Sequence, residues 1–395
     1  MAIYLDHAAT TPLRAEVLEA MLPYLTEHFG NPSSLHGTGR RARQGLDEAR
    51  EAVAQALGAK FREIVFTSGA SENTSLAING IAWAHSAQGR HIVTTAVEHR
   101  AVLNTCAVLE RHGFGVTYLA VDRYGQVDPT AVAEAIGEHT TLIAIGYANN
   151  EVGTVQPIAE IGAICRERKI AFYTDATQAA SSLPLDVDSL QVDLLGIAAH
   201  KIEGPKGVGA LFIRQGTNLI PQHQGGSQER QRRAGTENVA GAVGLGEALR
   251  LTRGDPDAMS AENERQRGLR GRLAGRLAAI SDGQMTGHPE ARLPNSVSWV
   301  FRGVEGGDLI AALDLEGVAA STGSACTSGS AEPSHVLVAM GVAPDLIRGS
   351  LRLTLGRTNT AAEVDEAADL VVACVERVRA ARPVEADVAP APARA

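Results

Sequence analysis

The chain has 395 residues, 44% of them hydrophobic, and a formal net charge of -9. That length suits one large domain with a smaller companion, and an acidic balance without a basic run argues against a nucleic-acid partner. The longest apolar runs, such as "GVGALFI", are strand-sized rather than membrane-spanning, and no basic stretch leads into an apolar one at the N-terminus, so a cytoplasmic protein without a secretory signal or membrane anchor is expected.

In chain order, "EIVFTSG" predicts a strand and "ASENTSLAINGIAWAHSAQG" the helix after it; "HIVTTAVEH" and "AVLNTCAVLERHG" repeat the pair. "VTYLAVD", "TTLIAIGYAN", "IAFYTDA", "VDLLGIAAH" and "VGALFIR" continue as short apolar strands, with helices such as "PIAEIGAICRERK" among them. Short apolar strands alternating with helices of about 10–15 residues predict an α/β protein with a mainly parallel sheet flanked by helices. From about residue 259 the rhythm changes. A charged helix, "SAENERQRGLRGRLAGRLAAI", precedes strands "NSVSWVF", "GVAAST" and "SLRLTLG" and helices "GGDLIAALDLEG" and "TAAEVDEAADLVVACVERVRAAR", which together predict a smaller α+β domain. The Ala/Pro-rich end, residues 383–395, is expected to be a disordered tail.

Cys106, Cys165, Cys326 and Cys374 show neither C-x-x-C pairing nor metal-ligand spacing, so no intrinsic metal site is expected and a reducing compartment fits. Cys106, Cys165 and Cys374 sit in apolar helical patterns and are predicted to pack. Cys326 lies in "GSACTSGS", where glycine, serine and threonine offer little to bury, so a thiol on a flexible strap is expected there.

Several strand ends carry polar residues. "FTSGASEN" runs a strand into a helix N-terminus, where free N–H groups and the hydroxyl of Ser71 suit either a phosphate or ordinary capping. His99 in "VEHRAVL" can stack on a flat ring or carry a proton, and Asn149 and Asn150 in "YANNEVG" can donate hydrogen bonds. Asp175 in "FYTDATQ" suits a cationic ring nitrogen or an N-cap, and Lys201 in "AAHKIEGPKG" suits carbonyl chemistry or an ordinary surface lysine, with Lys206 as the other candidate. Each is weak alone, but all fall at strand ends of one sheet, where parallel sheets bind ligands.

At these residues the chain resembles the class I cysteine desulfurases, pyridoxal phosphate (PLP) enzymes of aminotransferase class V and transferase fold type I. The resemblance runs from "YLDHAATTPL" through "FGNPSSLH", "ANNEVGTVQP", "TDATQ", "HKIEGPKGVG" and "RRAGTENVAG" to "GSACTSGSAEPSHV" and "LRLTLGR", and is greatest to the nitrogen-fixation-type members. It implies a large PLP-binding domain over 15–258 and a small domain from 1–14 and 259–382 that carries the cysteine loop. It implies that Lys201 attaches PLP and acts as base, that Asp175 pairs with the ring nitrogen, that Gln178 faces the ring oxygen and that His99 stacks on the ring. Ala70, Ser71 and His200 would contact the phosphate, and Thr236 would reach the phosphate of a neighbouring subunit, which makes a homodimer the expected state. Asn150 and Arg352 would hold L-cysteine, and Cys326 would attack its sulfur and pass a persulfide to an iron–sulfur scaffold or other acceptor protein; the chain would hold no intrinsic metal, although Cys326 could transiently ligate a cluster with that scaffold. A selenocysteine lyase or another fold-type-I PLP enzyme is the alternative. Ser71, Ala198 and Glu203 depart from the threonine, serine, and tyrosine or histidine common in the family at those positions.

Overall fold

The structure, a computed structural model, describes residues 2–323 and 333–381. Cys326 and the tail at 383–395 lie outside the described residues. β1 (Ile3–Tyr4) leads through a turn to α1 (Ala15–Thr26) and α2 (Gly37–Leu57). There follow β2 (Ile64–Thr67), α3 (Ala70–Ala84), β3 (His91–Thr95), α4 (Arg100–Arg111), β4 (Gly115–Leu119), α5 (Pro129–Ala135), β5 (Thr140–Ala144), α6 (Ile158–Arg168), β6 (Ala171–Asp175), β7 (Leu194–Ala198) and β8 (Gly209–Ile213). α7 (Val239–Arg253) and α8 (Pro256–Leu277) precede β9 (Gly283–Met285), β10 (Ser296–Phe301), α9 (Gly306–Leu315), β11 (Val318–Ala319), α10 (His335–Ala339), α11 (Pro344–Ile347), β12 (Ser350–Thr354) and α12 (Ala361–Ala381).

The large sheet has the order β2-β8-β7-β6-β5-β3-β4. Strands β7, β6, β5, β3 and β4 pair in parallel, and β8 runs antiparallel to both neighbours. The segment between β7 and β8 is too short for the crossover that a parallel pairing needs, so β8 turns back. Side chains alternate between the faces: Val65, Leu194 and Leu211 enter one core with α3 and α4, whereas Ile64, Phe66, Leu195 and Phe212 enter the other with α2, α6 and α7. A further core joins Ile3 and Leu5 to Leu269, Trp299, Leu353 and Val375, so the first strand packs with the C-terminal third of the chain. The predicted strand "GVAAST" shortens to β11, which pairs with the equally short β1, and Ser321 beyond it makes an isolated bridge to Arg352. Cys106, Cys165 and Cys374 are buried, and burial pushes the thiols of Cys106 and Cys165 up to about 12.

One buried ion pair fixes a long loop to the sheet. Arg50 of α2 makes two bonds of 2.7 Å to Glu229 and lies over the rings of Phe66 and Phe61. Glu229 also accepts the Phe66 amide at 3.1 Å. Glu229, Arg230 and Gln231 all have left-handed φ, at 45°, 56° and 62°, a conformation that costs a non-glycine residue about 1–2 kcal/mol. Glu229→Ala strands the Arg50 cation and is expected to lower stability by about 3–5 kcal/mol in urea titrations. Replacing both partners, Arg50→Met with Glu229→Leu, is expected to recover part of that loss.

Candidate active site

A cavity of about 640 Å3 opens at the carboxyl ends of the parallel strands. Its wall includes Ala70, Ser71, His99, Asn150, Asp175, Gln178, His200, Lys201 and Arg352, so the structure brings these sequence-predicted residues together. Thr236 is exposed and absent from that wall. Both candidate lysines line the cavity: Lys201 is half-buried, and Lys206 is exposed at the glycine turn.

The turn after β1 organises the floor. Lys201, just past β7, donates from Nζ to the carbonyls of Ala8 at 2.5 Å and Ala9 at 2.7 Å. Ala8 also accepts from Gln178 Nε2 at 2.9 Å. His200 places Nδ1 3.2 Å from Thr10 Oγ1, and its carbonyl accepts from the Thr11 hydroxyl. Burial, then the charges of Lys201 and Lys206, holds the His200 imidazole down to about 4, so the ring is neutral at neutral pH.

At one end, Gly69 caps α3 with φ 146°, and a Cβ there would face open space. Gly209 of β8 lies so near that a Cβ would sit 2.8 Å from the Gly69 Cα, so only glycine allows this close backbone approach. Ala70 and Ser71, the first residues of α3, line the cavity, and a helix N-terminus there suits a phosphate. Asp175 ends β6 and its Oδ1 accepts the Thr177 amide at 3.0 Å. His99 is the N-cap of α4: Nδ1 accepts the Ala101 amide at 3.1 Å, which sets the proton on Nε2. A phosphate cradle, a carboxylate, a fixed imidazole and a lysine on one cavity fit a phosphorylated, cationic aromatic ring bearing an aldehyde.

At the other end, Arg352 of β12 is 2% exposed. Its Nη1 donates to the carbonyls of Asn150 at 2.9 Å and Gly323 at 3.1 Å, and its Nη2 to Asp6 Oδ1 at 2.7 Å. Asn149, expected to donate alongside Asn150, spends its side chain on the backbone of Val97, Glu151 and Val152. Glu203, where the family commonly has an aromatic ring, forms an ion pair with Arg357 at 3.0 Å.

Sequence reasoning missed Asp6, Glu98, Glu151 and His335, all in or beside this cavity. Asp6, Glu98 and Glu151 lie in stretches quoted for other residues, and acids next to strand ends read as surface. His335 donates from Nε2 to the Glu98 carbonyl at 2.9 Å, and Ser334 donates to Glu151 Oε2 at 2.5 Å. Gly323 and His335, which flank residues 324–332, both line the cavity.

Residues 3–367 match the Aminotransferase class-V family. The chain is 50% identical to the cysteine desulfurase IscS of Methanosarcina thermophila over 383 residues, which are 97% of this chain and 94% of that protein. Among solved structures it is similar to a NifS-like protein, with a TM-score of 0.89, 34% identity and coverage of 95% of this chain and all of that one. It is also similar to SspA in complex with cysteine, with a TM-score of 0.78, 37% identity and coverage of 89% and 98%.

Glu98, the residue before His99, is a buried acid that also lines the cavity. It accepts from Thr95 Oγ1 at 2.7 Å and from the Gly146 amide at 2.9 Å. Burial, reinforced by the charge of Asp175, pushes its carboxyl up to about 7. A folded pKa above the unfolded one means that stability is complete below the unfolded value and is lost as pH rises through the folded value. Glu98→Gln, with the Thr95 hydroxyl able to accept from the new amide, is therefore expected to lose less stability than the parent between about pH 5 and pH 8. Urea midpoints at both pH values check this.

Proposed function

The chain belongs to the Aminotransferase class-V family, and from that premise we propose that it is a cysteine desulfurase: it converts L-cysteine to L-alanine and holds the sulfur as a persulfide on Cys326. The observation that carries this reading is one cavity that joins Lys201 and Asp175 to Arg352, with the residues flanking the Cys326 segment on its wall.

Ala70, Ser71 and His200 would hold the phosphate of PLP, Asp175 its ring nitrogen, Gln178 its ring oxygen and His99 its face, and Lys201 is the attachment point. When bound, PLP draws electrons from the substrate's Cα and makes its bonds there labile. Arg352 binds the carboxylate of L-cysteine, helped by Asn150. The Lys201 amine takes the proton from Cα. The Cys326 thiolate attacks the substrate sulfur: an S–S bond forms, the Cβ–S bond breaks, and the electron pair stays with the three-carbon fragment, which gains protons and leaves as alanine. The other three cysteines are buried away from this chemistry, with thiols held protonated.

The persulfide then goes to an acceptor protein for iron–sulfur assembly, in a cytoplasm that keeps thiols reduced. A homodimer is the working unit. Leu18, Leu22 and Leu25 repeat on one face of α1 and, with Phe29 and Leu35, leave apolar surface exposed, as a subunit interface would. Thr236, exposed on a loop outside its own cavity, is free to meet the partner's phosphate.

The test is equimolar alanine and sulfur release from L-cysteine. Cys326→Ser is expected to bind PLP normally and to lose sulfur transfer by at least about a hundredfold, because a serine hydroxyl stays protonated near neutral pH. Mass spectrometry is expected to find the added sulfur on the Cys326 peptide. Turnover of selenocysteine but not cysteine would move the assignment to a selenocysteine lyase.

A further inference from the structure

Arg352 is a buried cation, and its described ion-pair partner is Asp6. The two meet because Asp6 bridges to Thr354, and Thr354 and Arg352, two residues apart on β12, leave the strand on the same face. Thr354 holds the turn as well, since its Oγ1 accepts the Ala8 amide at 2.8 Å. The guanidinium has five N–H donors. Two on Nη1 go to the carbonyls of Asn150 and Gly323, and one on Nη2 goes to Asp6. Nε is buried and lacks an acceptor among the described residues. Nε–H and the second Nη2 hydrogen are left, enough for two parallel bonds to one carboxylate.

We propose that Asp6 is the positioning residue of the substrate-carboxylate receptor: by accepting from Nη2 it orients the Arg352 guanidinium so that the remaining N–H groups donate to the carboxylate of an α-amino acid. The inference rests on the reading of Arg352 as the carboxylate clamp. Asp6 works as a hydrogen-bond acceptor at a set place, not as a charge, because its negative charge by itself opposes a second carboxylate at the same cation. Asparagine retains that acceptor and removes the charge, and alanine removes both.

The experiment is titration of the PLP-loaded protein with L-alanine and, separately, with ethylamine, which lacks the carboxylate, followed by the cofactor's absorbance. Asp6→Ala is expected to weaken L-alanine about tenfold, the scale of one charge-assisted hydrogen bond, and to raise KM for L-cysteine more than it lowers kcat. Asp6→Asn is expected to bind L-alanine at least as tightly as the parent, and ethylamine is expected to bind all variants alike. Asp6→Ala is expected to add nothing in an Arg352→Ala background. Unchanged L-alanine affinity in Asp6→Ala, an equal loss for ethylamine, or an additive double variant overturns the role of Asp6 while leaving Arg352 in place. Unchanged L-alanine affinity in Arg352→Ala overturns the clamp and this inference together.

Discussion

An ammonium at the end of a buried strand must be hydrogen-bonded, and Lys201 meets that constraint through the carbonyls of Ala8 and Ala9. Those carbonyls belong to a turn that starts in a different core, where Ile3 and Leu5 pack with the C-terminal third of the chain. The same turn reaches Gln178, His200 and Arg352. The lysine end and the arginine end of the cavity are therefore held at a common spacing by six consecutive residues, 6–11. Moving β1 relative to the sheet would disturb both ends at once.

The rest of the cavity follows from strand direction. Parallel strands deliver their carboxyl ends to one edge, so Asp175, Lys201 and the start of α4 arrive together. The reversal of β8 brings Gly209 against Gly69, and that contact shapes the N-terminus of α3. Burial then sorts the titratable groups. His200 and His335 are held towards their neutral forms, and Glu98 is held towards its protonated form. Fixed dipoles of this kind stabilise developing charge without reorganising during a reaction.

Much of this was legible in the sequence. Apolar runs of strand length separated by helices determined the parallel sheet, because both faces of such a sheet need covering. Polar residues just beyond those runs, Ser71, His99, Asp175 and Lys201 among them, marked the edge where the cavity lies, and apolar helical neighbours marked Cys106, Cys165 and Cys374 as packed. Local pattern could not separate Asn149 from Asn150, since both follow the same strand and only the backbone around them decides which side chain is consumed. Tertiary structure alone paired Asp6 with Arg352, 346 residues apart, tied Arg50 to Glu229, and set Glu98 against the Gly146 amide. Periodicity reports which face of its own element a residue occupies, whereas a buried charge finds its partner wherever the fold has already put one, and that location has no local signature.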